Sequence, residues 1–147
     1  MRICVQAEPF DLGTESAAFA AGRKDMGAIV TFTGVVRDLA DDPLEVMEIE
    51  HYPGMTEKAL EQIAAGAVTR FSLGDALVIH RYGPLKPGEM IMMVATAAPH
   101  RKDAFDGAEF LMDYLKSRAP FWKREVTRGG ADWVDAKDAD EDALTRW

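Results

Sequence analysis

The chain has 147 residues and a mass of 16.2 kDa, with 48% apolar and 29% charged residues, the balance of one soluble domain around one packed core. A formal charge of −8 excludes broad, non-specific nucleic-acid binding, which needs a large basic surface. Cys4 is the only cysteine, which excludes an intrachain disulfide and a thiolate metal cluster; Met1 to Gln6 is too short and polar for a signal segment and no apolar run nears membrane-spanning length, so a cytoplasmic enzyme or binding domain is expected.

Arg2 to Gln6 alternates polar and apolar residues and predicts a first strand. Pro9 breaks it, and the Ala-rich stretch from Asp11 to Ala21 predicts a helix anchored by Phe10, Leu12 and Phe19. Gly27 to Arg37 is rich in β-branched residues and predicts a buried strand, with Gly34 marking a bulge or a close backbone approach. A polar loop from Asp38 to Leu44 leads to a half-exposed strand, Val46 to Tyr52. Pro53-Gly54 turns the chain, and Thr56 is the predicted N-cap of a helix reaching about Arg70. Strands follow at Ala76 to Tyr82 and Glu89 to Ala97 around Pro84-Leu85-Lys86-Pro87-Gly88, which reads as a loop.

The longest helical pattern comes next, with Ala104, Phe105, Ala108, Leu111, Met112 and Leu115 as its apolar stripe, acidic residues in its first turn and Arg118 in its last. Pro120 closes it. Phe121 to Thr127 and Asp132 to Val134 predict a hairpin around Gly129-Gly130, and the remaining tail is acidic. The order β-α-β-β-α-β-β-α-β-β, without repeats or a linker, predicts a single α+β domain over 1–147, with three helices on a mixed or antiparallel sheet.

Gly-rich phosphate loops, a nucleophile elbow and a His-Glu-x-x-His helix are absent from the sequence. His51, His80 and His100 stand far apart, so no metal site has local support, and none is expected. The anomaly is electrostatic. Between Tyr114 and Arg128, five Lys/Arg face one Glu, a local charge of +4 that leaves −12 on the rest of the chain. Charges interleaved with Pro120, Phe121 and Trp122 suit a pocket for a planar or phosphorylated anion, whereas Arg118 taken alone suits the end of its helix. Lys116 has two readings: an i,i+3 surface pair with Asp113, or an amine whose pKa is lowered beside apolar residues and other cations. Lys123 shares the second. His100-Arg101 stands at a helix start and Arg37 at a strand end, each an anion ligand or a solvated charge. Phe32 and Met112, read from pattern alone, are core residues.

Val30-Thr-Phe-Thr-Gly-Val-Val-Arg37, Glu50-His-Tyr-Pro-Gly-Met-Thr-Glu57, Ile79-His-Arg-Tyr-Gly83, His100-Arg101, Met112-Asp-Tyr-Leu-Lys-Ser-Arg-Ala-Pro-Phe-Trp-Lys-Arg-Glu125 and the closing Arg146-Trp147 together resemble the large, catalytic subunits of molybdopterin synthase, over essentially the whole chain. The resemblance implies conversion of a cyclic pyranopterin monophosphate (precursor Z) into molybdopterin by insertion of two dithiolene sulfurs. These arrive as a thiocarboxylate on the Gly-Gly tail of a small ubiquitin-like carrier, within a heterotetramer of two large and two small subunits built on a homodimer. It implies no cofactor. Lys116 and Lys123 match active-site lysines; Arg37, His100 and Arg101 match residues around the pterin and its phosphate; Phe32 and Met112 match pocket-lining positions. Lys137, in Trp133-Val-Asp-Ala-Lys137, stands where the family often has arginine, which keeps the charge and loses the bidentate fork.

On this reading Lys116 is the general acid/base or transient covalent residue, and Lys123 stabilises the tail and developing negative charge. Two other classes fit the same basic segment. A phosphoesterase for cyclic phosphates turns over without a protein partner, and a non-catalytic adaptor binds the ubiquitin-like tail without making product.

Overall fold

The computed structural model describes residues 1–135 and 137–147. Its elements are β1 (Arg2–Gln6), α1 (Leu12–Ala20), β2 (Ala28–Val35), β3 (Leu44–His51), α2 (Met55–Phe71), β4 (Asp75–Arg81), β5 (Gly83–Leu85), β6 (Met90–Ala98), α3 (Arg101–Arg118), β7 (Phe121–Thr127), β8 (Gly130–Trp133), α4 (Asp138–Ala143) and a closing 3-10 turn, Leu144–Arg146. They form two four-stranded sheets. The first runs β1-β4-β6-β2, with β1 parallel to β4 and the other pairs antiparallel; the second runs β5-β3-β7-β8, antiparallel throughout. The α+β class with mixed and antiparallel sheets is therefore as expected, with four helices among the described residues where three were predicted.

Helices cover both faces of the first sheet. Val78 and Val94 on one face pack with Leu60 of α2 and Leu111 of α3, while Leu77, Ile79 and Met93 on the other pack under Phe19 of α1. This explains why β6 reads as a continuous apolar run: a central strand covered on both sides has no solvent face to alternate toward. At the edge strand β2 the register shifts between Gly34 and Val35, the bulge that Gly34 announced.

Four expectations are corrected. Gly83–Leu85, assigned to a loop, is strand β5, and Pro84 is tolerated because β5 is an edge strand. The acidic tail contains α4, which lacks an apolar stripe and is held by an ion pair from Arg118 to Glu141. Thr56 is not the N-cap of α2. That position is Gly54, with φ of 84°, and the Glu57 carboxylate accepts from its backbone N–H. Phe105 is 60% exposed, because it sits one residue off the buried line of Ala104, Ala108, Leu111 and Leu115; Phe110 is buried instead.

Two features fix the geography of the charged residues. Ala28 pairs with Ala98 at one end of the β2–β6 ladder and Val35 with Met90 at the other. Helix α3 starts just beyond the Ala98 end and runs back over β6 and β2, so its last turn lies toward the end that Arg37 follows. None of the helices is long and apolar enough to cross a membrane among the described residues.

Candidate functional site

Helix α3 stops because Pro120 has no N–H to continue it and forces Ala119 into extended backbone, φ −77° and ψ 133°. The Phe121 N–H then bonds the Ala119 carbonyl at 2.8 Å and the chain enters β7. One short turn therefore joins Lys116, exposed on the last turn of α3, to Lys123 on β7. Side chains alternate across β7. Trp122 and Arg124 stand opposite Glu50 and Glu48, and Arg124 pairs with Glu48. Phe121 and Lys123 share the other face, opposite His51 and the buried Ile49.

Lys123 is half-buried and its ammonium is held below the ordinary lysine pKa. Burial is the largest cause, the positive charge of Lys116 follows, and Lys137 adds to it; the carboxylate of Asp140 acts in the opposite direction. The structure thus brings Lys116, Lys123 and Lys137 into one electrostatic neighbourhood, with Asp140 as its nearby anion.

The remaining cations of the basic segment are engaged elsewhere. Arg118 meets Glu141 at 2.6 Å; Arg124 pairs with Glu48 and lies 5.7 Å from the centre of the Trp133 ring. Arg128 is exposed at the β7–β8 turn. Asp113, which the helical spacing offered to Lys116, accepts from Arg146 at 2.5 Å and from the Trp147 indole at 2.6 Å. Among the described residues neither Lys116 nor Lys123 makes an ion pair. The +4 segment therefore resolves into three arginines spent on the fold or on solvent and two lysines that make no ion pair among the described residues.

Arg37 is exposed just past β2, where Val36 exchanges backbone hydrogen bonds with the β5–β6 turn, to Glu89 at 2.9 Å and from Gly88 at 2.8 Å. Met112 is half-buried against the main core, one helical turn before Lys116. Phe32 is 43% exposed on the edge strand, so the core reading of this residue is corrected; a ligand can reach it. His100 and Arg101 are exposed at the start of α3, with His100 in the N-cap position in extended backbone. They do not join the lysines of their own chain. Lys116 lies fifteen positions along α3 from Arg101, a rise of about 22 Å.

His80, Thr56 and Asp140 stand near this site without having been predicted there. The signal for His80 was a histidine directly after the apolar run Ala76–Ile79 of β4; Thr56 and Asp140 left none that local pattern reveals. Cys4 packs on the α1 side of the first sheet. Among the described residues no three His, Cys, Asp or Glu side chains gather as ligands for a metal ion.

A family model described as "MoaE protein" matches residues 5–118. Over 147 residues the chain is 69% identical to a protein of Cereibacter sphaeroides described as "Molybdopterin synthase catalytic subunit", covering 100% of both. Among solved structures it is similar to the molybdopterin biosynthesis MoaE protein of Burkholderia ambifaria, with a TM-score of 0.84, 53% identity and coverage of 100% of this chain and 98% of that one. It is also similar to molybdopterin synthase from Staphylococcus aureus, with a TM-score of 0.82, 31% identity and coverage of 89% and 95%. The family model stops at the end of α3, so Lys123 and Lys137 are covered by the full-length relatives and not by it.

Proposed function

The chain belongs to the MoaE protein family of molybdopterin synthase catalytic subunits, enzymes of molybdenum cofactor biosynthesis, and from that premise we propose that it inserts the two dithiolene sulfurs into a cyclic pyranopterin monophosphate. The sulfur comes from the C-terminal thiocarboxylate of a small ubiquitin-like carrier, whose tail ends beside Lys116 and Lys123. The observation that carries this reading is the pair of lysines on either side of the α3–β7 turn that make no ion pair among the described residues.

The chemistry follows from their surroundings. The nucleophile is the carrier's sulfur, so the chain has to hold two anions, the tail and the phosphorylated pterin, and to move protons between them. Lys116 is exposed on the last helical turn, where it meets a ligand entering from solvent; it serves as general acid/base or as a transient covalent residue. Lys123 lines the buried side and stabilises the tail and the negative charge that develops. Its lowered pKa brings proton release nearer neutral pH than an exposed lysine allows. Arg37, Phe32 and Met112 extend the site along β2 and α3, with the guanidinium for phosphate and the apolar side chains for the pterin.

His100 and Arg101 are too far along α3 to serve the lysines of the same chain. Their family role around the phosphate is therefore met from a second copy, in a homodimer that places the α3 start of one chain beside the α3–β7 turn of the other. With one carrier bound at each site the assembly is two large and two small subunits. Lys137 adds charge beside Lys123 in place of an arginine fork.

The experiment is Lys116→Ala assayed with purified thiocarboxylated carrier and the pterin substrate. Dithiolene formation is expected to fall by at least about 100-fold, the scale of losing a positioned acid/base group; a rate near wild type overturns the role of Lys116.

A further inference from the structure

The relation between Lys116 and Lys123 is set by the Ala119-Pro120 turn, and two buried polar residues from other elements hold that turn. Thr56, on the first turn of α2, is fully buried. Its Oγ1 accepts from the Tyr52 N–H at 2.9 Å and donates to the Pro120 carbonyl at 3.2 Å. The Pro120 carbonyl belongs to neither a helix nor a sheet ladder, so the hydroxyl supplies its partner across 64 residues of chain.

One residue further on, the Phe121 ring lies on the imidazole of His80, with centroids 3.7 Å apart and planes within 15°. His80 is 6% exposed, and its Nδ1–H donates to the Arg81 carbonyl at 2.8 Å, which fixes the tautomer and the ring plane. The ring is neutral: burial, with the charge of Lys123 adding to it, outweighs the bond to the Arg81 carbonyl and pushes its pKa down to about 3. A neutral ring stacks on Phe121 without adding a cation beneath the two lysines. Lys116 of α3, Lys137 and Asp140 of the C-terminal segment, and His51 of β3 are the other charged or titratable groups around this pair.

We propose that Thr56 and His80 are positioning residues, a clamp on the α3–β7 turn that holds Lys123 in register with Lys116. Thr56 fixes the backbone at Pro120 and His80 fixes the Phe121 side chain, two residues before Lys123 on the same face of β7. The inference rests on the sulfur-transfer reading only for its activity readout, because the geometry it describes belongs to the chain alone.

The test uses the full-length chain and four variants. Thr56→Val keeps the shape and removes both hydrogen bonds, while Thr56→Ser keeps the hydroxyl. His80→Ala removes the stack, while His80→Phe keeps it. The first readout is competitive acetylation of the isolated protein across pH, following Lys123 and Lys116 by mass spectrometry against the exposed Lys58 and Lys102. Thr56→Val and His80→Ala are expected to move the Lys123 profile toward that of the exposed lysines, and Thr56→Ser and His80→Phe to restore it. The second readout is turnover with thiocarboxylated carrier. Displacement of a reacting group by about 1 Å costs up to about 100-fold, so kcat is expected to fall between about 10- and 100-fold in Thr56→Val and His80→Ala with KM for the pterin within about twofold.

Folded Thr56→Val and His80→Ala proteins with an unmoved Lys123 profile and unchanged kcat overturn the clamp. Should either fail to fold, Thr56→Ser and His80→Phe decide alone, and a loss of more than about 10-fold in kcat in either folded variant overturns it. Acetylation needs neither carrier nor pterin. A shifted Lys123 profile in the variants of a chain that itself makes no dithiolene therefore sinks the function and leaves the clamp standing.

Discussion

The Trp147 indole donates to the Asp113 carboxylate at 2.6 Å, and Arg146 reaches the same carboxylate at 2.5 Å. Asp113 stands three residues before Lys116, at the spacing of a helix-surface ion pair, and the closing residues of the chain take it instead. The Trp147 ring also stands edge-on to Phe71 and Phe110, at 5.5 and 5.6 Å between centroids. Trp147→Ala is therefore expected to cost about 1–3 kcal/mol in urea unfolding, the range for truncating a partly buried aromatic with a polar tip. Arg146 still holds Asp113 in that variant, so only the double variant Arg146→Ala/Trp147→Ala releases the carboxylate toward Lys116, and its turnover falls beyond what the stability loss explains. An unchanged unfolding midpoint contradicts the anchor.

Lys123 carries a stability signature with a definite sign. Its pKa is lower in the folded chain than in the unfolded one, so between those two values the unfolded state binds more protons and stability rises with pH. Below that window the cost of burying the ammonium is fully present. Lys123→Met removes it and is expected to raise the urea midpoint at pH 7, with the gain over wild type shrinking as the pH approaches about 10.4, the ordinary lysine value. A destabilised Lys123→Met at pH 7 contradicts the burial assigned to this side chain.

His80 titrates on the acid side. Its pKa falls from 6.5 unfolded to about 3 folded, so the unfolded chain binds the extra proton between those values and stability drops as pH falls through that window. Above pH 6.5 the contribution is constant. Carboxylates with lowered pKa values add their own losses below about 3.8, among them Asp75, whose partial burial is outweighed by the N-terminal ammonium and then by Arg23. The difference between wild type and His80→Phe isolates the histidine. The variant is expected to lose less stability than wild type between pH 7 and 4.5, and parallel curves contradict a buried neutral ring.

What the sequence revealed followed from local pattern. Phe121–Thr127 alternates behind a proline, and the strand occupies those residues. The Gly34 bulge and the two-lysine segment were equally legible, because a glycine in a β-branched run and a cluster of cations are local signals. The missed elements depend on distant partners. Strand β5 is hidden by Pro84, which an edge position excuses, and α4 by an acidic composition that cations far from it in sequence, Arg118 beside Glu141 and Lys123 near Asp140, make favourable. Thr56 looked like a cap because threonine commonly is one; its hydroxyl is engaged by Tyr52 and by Pro120. Phe105 and Phe110 exchanged places because an apolar stripe read by eye is wider than the buried line of a helix. The candidate residues were legible as a list to test, but no local pattern brings Asp140 of the C-terminal segment near Lys123. The predicted helix between His100-Arg101 and Arg118 already set those two a helix length from Lys116.

That separation gives the most direct test. Arg101→Ala and Lys116→Ala chains are each expected to be nearly inactive with thiocarboxylated carrier. If the site is shared between copies, a mixed dimer holds one site with both defects and one intact site. Random exchange of equal amounts makes half the dimers mixed, so activity recovers to about one quarter of wild type. Recovery to that level after subunit exchange is the predicted result; a mixture no more active than the two variants apart contradicts a site completed by a second copy.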